Sequence, residues 1–169
     1  MPDLREISNL PWLIGDDEIE AIRGINVGGR VVRYTAAAAL NVGDAVFISA
    51  AGTVNKSTVA ADHLKRAGIV VGGEAIGAAR VAVQRAADVG KAAAAAGQAV
   101  LVAVDGSICY AVAQAAIAAG AAVKPDLTTA GRVLTATIAA AADFGRVLGL
   151  AIEAAAAAGD KIRIQIALY

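Results

Sequence analysis

The chain has 169 residues, enough for one domain with a real core or for two very small ones. It is 58% hydrophobic with only 4% aromatics, so its interior must be built from Val, Ile, Leu and Ala with close backbone approach. Its 15 basic and 15 acidic residues cancel, which gives no electrostatic footprint for nucleic acid and weakens the repulsion that keeps copies of a protein apart.

Residues 1–27 differ from the rest and read as an extended N-terminal arm. They carry Trp12, two prolines and the acidic run Gly15-Asp-Asp-Glu-Ile-Glu20, and almost no alanine. Pro11 disfavours a helix through Asn9 and Leu10, while the early acids suit a short helix from Asp16 or Asp17 to Arg23. Leu10, Trp12, Leu13 and Ile14 form an apolar cluster that must be buried, either on its own domain or on a neighbouring subunit. These four are the candidate subunit or capsid contacts. The opening Met-Pro-Asp-Leu-Arg-Glu-Ile lacks the basic start and apolar run of a signal peptide, and Gly or charge interrupts each alanine tract before it reaches the length of a membrane span. The expectation is a soluble chain made in the cytoplasm.

From Gly28 the pattern turns to β. Arg30–Thr35, Ala45–Ser49, Ala67–Val71, Ala79–Arg85, Gln98–Val104, Ser107–Val112, Val147–Ile152 and Lys161–Ile166 read as strands. The last is the clearest, with Ile162, Ile164 and Ile166 on one face and Arg163 and Gln165 on the other. Asp105-Gly106 is a hairpin signal between two of these strands. The alanine tracts favour helix by propensity, but five alanines ending at a Gly are too few; turns or single helical turns are expected there, with a short helix over Val112–Ala119. An all-helical chain is the structural competitor.

The sequence also repeats. Leu40-Asn-Val-Gly-Asp-Ala-Val46 is echoed by Ile117-Ala-Ala-Gly-Ala-Ala-Val123, and Gly52-Thr-Val54 by Gly131-Arg-Val133. Asp62 precedes Gly68 as Asp143 precedes Gly149, and Ala92–Val104 recurs as Ala154–Ile166. The two copies span about 36–104 and 113–166, with Gly73–Lys91 as a loop inserted in the first and a further candidate for subunit contacts. Two units are too few for a solenoid; they suggest one pseudo-symmetric domain over 28–169.

No catalytic constellation is visible. Cys109 sits in a strand pattern, where a lone cysteine is most simply a small buried hydrophobe, and His63 has no visible link to it. One His and one Cys cannot make a structural zinc site, and the acidic run lacks calcium-loop spacing. The glycines of 24–29 and 68–73 have neither the Lys-Ser/Thr of a phosphate loop nor a dinucleotide fingerprint. Asp44 and Asp160 each follow a turn glycine and read as turn-completing residues. The expectation is a protein that is not an enzyme and needs no cofactor or metal.

The ordered set Arg33-Tyr-Thr-Ala36, Val42-Gly-Asp-Ala-Val46, Ala94-Ala-Ala-Gly97, Ile117-Ala-Ala-Gly-Ala-Ala-Val123 and Leu148-Gly-Leu-Ala-Ile-Glu-Ala-Ala-Ala-Ala-Ala-Gly-Asp160 resembles the small capsid decoration, or cement, proteins of tailed bacteriophages. The resemblance covers about residues 30–169. It departs at Ala121, where the pattern has Asp, in the long Asp62–Lys91 region, and in the unmatched arm. It implies a virion protein on the outer capsid surface that ties neighbouring capsomers together, with the major capsid protein and copies of itself as partners, a trimer being favoured, and no membrane or nucleic-acid partner. The family pattern carries no catalytic residues. The expected fold is a mainly β, compact antiparallel sandwich or distorted barrel with short helices. The alternative function is a ligand- or carbohydrate-binding β module, which would present exposed aromatics on one face.

Overall fold

The computed structural model describes residues 30–76, 86–138, 143 and 145–167. The fold is mainly β. In chain order the first strands are β1 (Val31–Ala36), β2 (Leu40–Asn41), β3 (Ala45–Ala50), β4 (Thr53–Asn55), β5 (Arg66–Gly73), β6 (Ala92–Ala94) and β7 (Ala99–Ala103). The rest are β8 (Ile108–Val112), β9 (Ala122–Pro125), β10 (Val133–Thr135), β11 (Gly149–Ala151) and β12 (Lys161–Ile166). Among the described residues the only helical pieces are 3-10 turns at Asp62–Lys65, Glu74–Ile76 and Ala86–Asp88. The arm, with its expected helix, and the expected strand at Ala79–Arg85 lie outside the described residues.

The first half is a closed barrel in the order β1-β4-β3-β5-β7, with β7 returning to β1. The second half is a five-stranded sheet in the order β10-β9-β11-β12-β8. Its outer strands meet at a parallel bridge, Ala113 opposite Val133. The parallel pairing of Ala36 with Val54 closes the first barrel at the corresponding place. Other ladders match in the same way: Val46 opposite Gly68 corresponds to Val123 opposite Gly149, and Val70 opposite Val102 to Ala151 opposite Ile164. The small β2–β6 ladder, Leu40 opposite Ala94, has its counterpart in the bridge of Ile117 to Ala155.

Close approach explains the recurring Gly68 and Gly149. A Cβ at Gly68 would lie 1.9 Å from the Ala103 carbonyl oxygen, and one at Gly149 would lie 2.0 Å from that of Gln165. Side chains at these two positions would push neighbouring strands apart. Positive φ explains the glycines that end the alanine tracts. Gly97 (φ 82°) and Gly159 (φ 92°) turn the chain, and their N–H groups donate to Ala36 and Ala113 across the sheet.

Alanine forms strand here where local propensity predicts turns or helix. Ala92–Ala94 is β6, and the expected helix at Val112–Ala119 is absent. Gln114 N–H donates to Val133 O at 2.8 Å, and Ile117 exchanges backbone hydrogen bonds with Ala155 at 3.0 and 2.8 Å. Those backbone groups are committed to neighbouring strands, and tertiary pairing outweighs a propensity of a few tenths of a kcal/mol per residue. The Asp105-Gly106 signal also resolves differently. It makes a turn, but β7 pairs with β1 and β5 while β8 pairs with β12, so the turn carries the chain from one sheet to the other.

Among the described residues there are two large apolar cores and a small cluster of Ala122, Ala136 and Val147. One lies within the first barrel and includes Leu40, Val46, Val54, Val70, Val100 and Val102. The other is centred on Val123, Leu148, Ile162, Ile164 and Ile166 of the second sheet, and extends to Ile69 and Val71 of the first barrel.

Candidate interaction surface

Leu10, Trp12, Leu13 and Ile14, the contacts expected from sequence, lie outside the described residues, as do residues 77–85 of the inserted segment. The described ends of that segment close onto the first barrel. Val89 is buried in the barrel's core, and Lys91 pairs with Asp88 at 2.7 Å.

The polar side chains singled out by sequence serve the scaffold. Cys109 is buried in the second core opposite Ile164, and burial pushes its thiol up, away from the thiolate. His63, also buried, donates from Nε2 to the Ser57 carbonyl at 2.7 Å. Asp160 accepts from the N–H groups of Ala156 and Ala157, and Asp44 accepts from Asn41 N–H and Lys56 Nζ, each at 2.9 Å or less. The run Gly68–Gly73 lies inside β5. Among the described residues no group of three or more His, Cys, Asp or Glu side chains is placed to hold a metal ion.

One buried charge cluster was not foreseen from sequence. Asp143 is 4% exposed and receives Lys124 Nζ, Thr137 N–H at 2.8 Å and Arg146 Nη2 at 3.4 Å. The Lys124 hydrogen bond, then the Thr137 amide, hold its carboxyl below the usual aspartate range against the opposing effect of burial. Its recurrence with Asp62 marked the position, but only the fold brings Lys124 to it.

What the described surface offers is apolar area flanked by ion pairs, and the contact between the two halves shows how such area is used. The outer side of the first barrel presents Ala45, Ile69, Val71 and Ala103, with Leu101 beside them, to the second core. Cys109, Ala111 and Ala113 of the second half belong to that same core, while Tyr110 and Val112 pack against the core of the first barrel and the Gly131 carbonyl accepts Ala45 N–H at 2.7 Å. The fit is close: a Cβ at Gly131 would lie 2.5 Å from Asp44 Oδ1, and one at Gly43 would lie 2.8 Å from Val89 Cγ1. Val89 belongs to the segment present only in the first half.

The equivalent positions in the other half are open. Ile69 and Val71 are 0% and 4% exposed, whereas their counterparts Leu150 and Ile152 are 38% and 40% exposed. Tyr110 and Val112 are half-buried, whereas Arg33 and Thr35 of β1 are exposed. Val31, the counterpart of Ile108, is 45% exposed. Among the described residues nothing lies within 4 Å of a Cβ built on Gly120 or Gly52, the counterparts of Gly43 and Gly131. Beside Leu150 and Ile152, Arg163 Nε donates to Glu153 Oε1 at 2.6 Å; beside Val31, Arg33 pairs with Glu74 at 3.5 Å.

No protein-family model matches the chain, and no curated protein is significantly similar to it.

Proposed function

We propose that the chain is a structural protein of the virion, made in the bacterial cytoplasm, that binds the outer surface of a phage capsid and stabilises it by tying neighbouring capsomers together. Its partners in this reading are the major capsid protein and further copies of itself, with a trimer favoured. The observation that carries the proposal is the ordered set of motifs from Arg33-Tyr-Thr-Ala36 to Leu148–Asp160, which resembles the decoration proteins in its sequence of turns and strands. A rigid β scaffold with exposed apolar positions is in keeping with it. The mechanism is passive. Each copy buries an interface of roughly 1,000 Å² or more. Binding to the assembled shell alone stabilises that state by mass action, and many attachments acting together resist the outward pressure of packed DNA.

A sugar-binding module draws no support from the described aromatics: Phe47 is buried, and Tyr34 and Tyr110 are half-buried. Cosedimentation of the purified chain with cognate phage heads tests the capsid reading. Saturable binding at a fixed number of copies per head is expected; a chain that stays in the supernatant at every concentration contradicts it. In the same assay, removal of residues 1–27 lowers occupancy if the Trp12 cluster is a contact, and full occupancy would remove the arm from the interface.

A further inference from the structure

We infer that the N-terminal arm folds back onto its own chain, with Leu10, Trp12, Leu13 and Ile14 covering Leu150 and Ile152 on the outer face of the second sheet. The inference goes beyond capsid binding. It concerns the isolated single chain, so the two can fail separately.

The face is built by strand register. In β12, Gln165 lies opposite Ile108 of β8 on one side and opposite Leu150 of β11 on the other. Residues directly opposite in a ladder point to the same side of a sheet. That side is the outer one, because Ile164 and Ile166 of β12 point into the core. Two residues along β12, Arg163 lies opposite Tyr110, and its carbonyl accepts Ile152 N–H at 2.8 Å. Ile108 is half-buried and Gln165 exposed, while Leu150 and Ile152 are 38% and 40% exposed. The Arg163 guanidinium in this strip is engaged by Glu153 at 2.6 Å. What is left open is aliphatic area, which gains by leaving water.

The occupant is argued from where the arm joins the fold and from its charge. Arg30 N–H donates to Ser107 Oγ, and Ser107 Oγ donates to Arg30 O, each at 3.0 Å. Ser107 O accepts Ile166 N–H at 2.8 Å, so the arm enters beside the end of β12, the strand next to β11. Leu150 lies two ladder spacings, roughly 10 Å, beyond the Ile108 end of β8. The fifteen residues between Ile14 and Arg30 reach up to about 50 Å when extended, so the apolar cluster returns to this face with chain to spare. Residues 1–29 hold six acidic and two basic side chains, a net −4, whereas residues 30–169 hold nine acidic and thirteen basic, a net +4. A tethered segment meets its own body at a high effective concentration, and here the opposite net charges draw the two together.

Trp12 is the only tryptophan, so its fluorescence in the full chain reads the arm alone. The wild type is expected to emit to the blue of the urea-unfolded chain, to resist acrylamide quenching severalfold better, and to keep both properties on dilution. Leu150→Asp and, independently, Ile152→Lys are expected to move emission and quenching to the values of the unfolded chain. Val59→Asp, at an apolar position of the first half that is 56% exposed, should leave both at wild-type values. All three substituted side chains are exposed, and circular dichroism checks that each variant keeps the β fold. A wild type that already emits like the unfolded chain, or face variants that keep the blue emission, would overturn the inference. So would emission that reddens on dilution, which would place the cluster on a second copy, or a Val59→Asp chain that shifts as far as the face variants.

Discussion

Gly68 and Gly149 mark the tightest strand crossings in the two halves. Alanine at either position places a methyl group against a backbone oxygen that cannot move without disturbing its ladder, and is expected to cost roughly 1–3 kcal/mol in urea unfolding. Asp143 is the sharpest electrostatic position. Asp143→Ala leaves Lys124 and Arg146 without their shared counter-charge in a buried site, an expected loss of about 3–5 kcal/mol. The pH dependence follows from the same group. Its folded pKa is depressed, so its stabilisation is complete above the ordinary aspartate value and is lost as pH falls through the folded one. Glu153 is depressed too, chiefly by the Arg163 hydrogen bond. At Asp126 burial acts upward, but the Thr128 hydroxyl and the amides of residues 127–129 outweigh it. Stability should therefore be flat above about pH 5 and fall below about pH 4. Asp143→Asn should flatten that acid slope; an unchanged slope would assign acid sensitivity elsewhere.

At the scale of the element, β12 shows how strict alternation divides a strand between core and surface. Ile164 is 0% exposed, while Gln165 is exposed. Ile164→Ala is expected to cost about 2–5 kcal/mol, and Gln165→Ala to stay within about 0.5 kcal/mol in stability. A similar loss at both positions would contradict the assigned register. β12 was legible from sequence because its side chains differ sharply between faces. β6 and the bridge at Ile117 were not, because alanine gives no facial contrast and favours helix locally; only the partners across the sheet decide. The Asp105-Gly106 turn was legible as a turn, but which strands it joins is a long-range fact, fixed by β1 and β5 having already taken both edges of β7.

For the whole molecule, the repeat takes the form of a closed barrel and a five-stranded sheet with matching ladders. The repeated glycines were readable in the sequence because each performs the same steric task twice. The exposure of Leu150 and Ile152 was not readable: Leu150-Ala-Ile152 has the same alternation as a buried strand, and the difference is seen only against Ile69 and Val71 in the fold. The residues that sequence did single out for contact, Leu10, Trp12, Leu13 and Ile14, lie outside the described part of the chain. The central claim is that the chain stabilises a capsid. Its most direct test is the heat resistance of cognate phage heads stripped of decoration protein, measured by the release of packaged DNA with and without the saturating chain. The account predicts that the bound chain raises the release temperature; heads that gain nothing under saturating protein would contradict it.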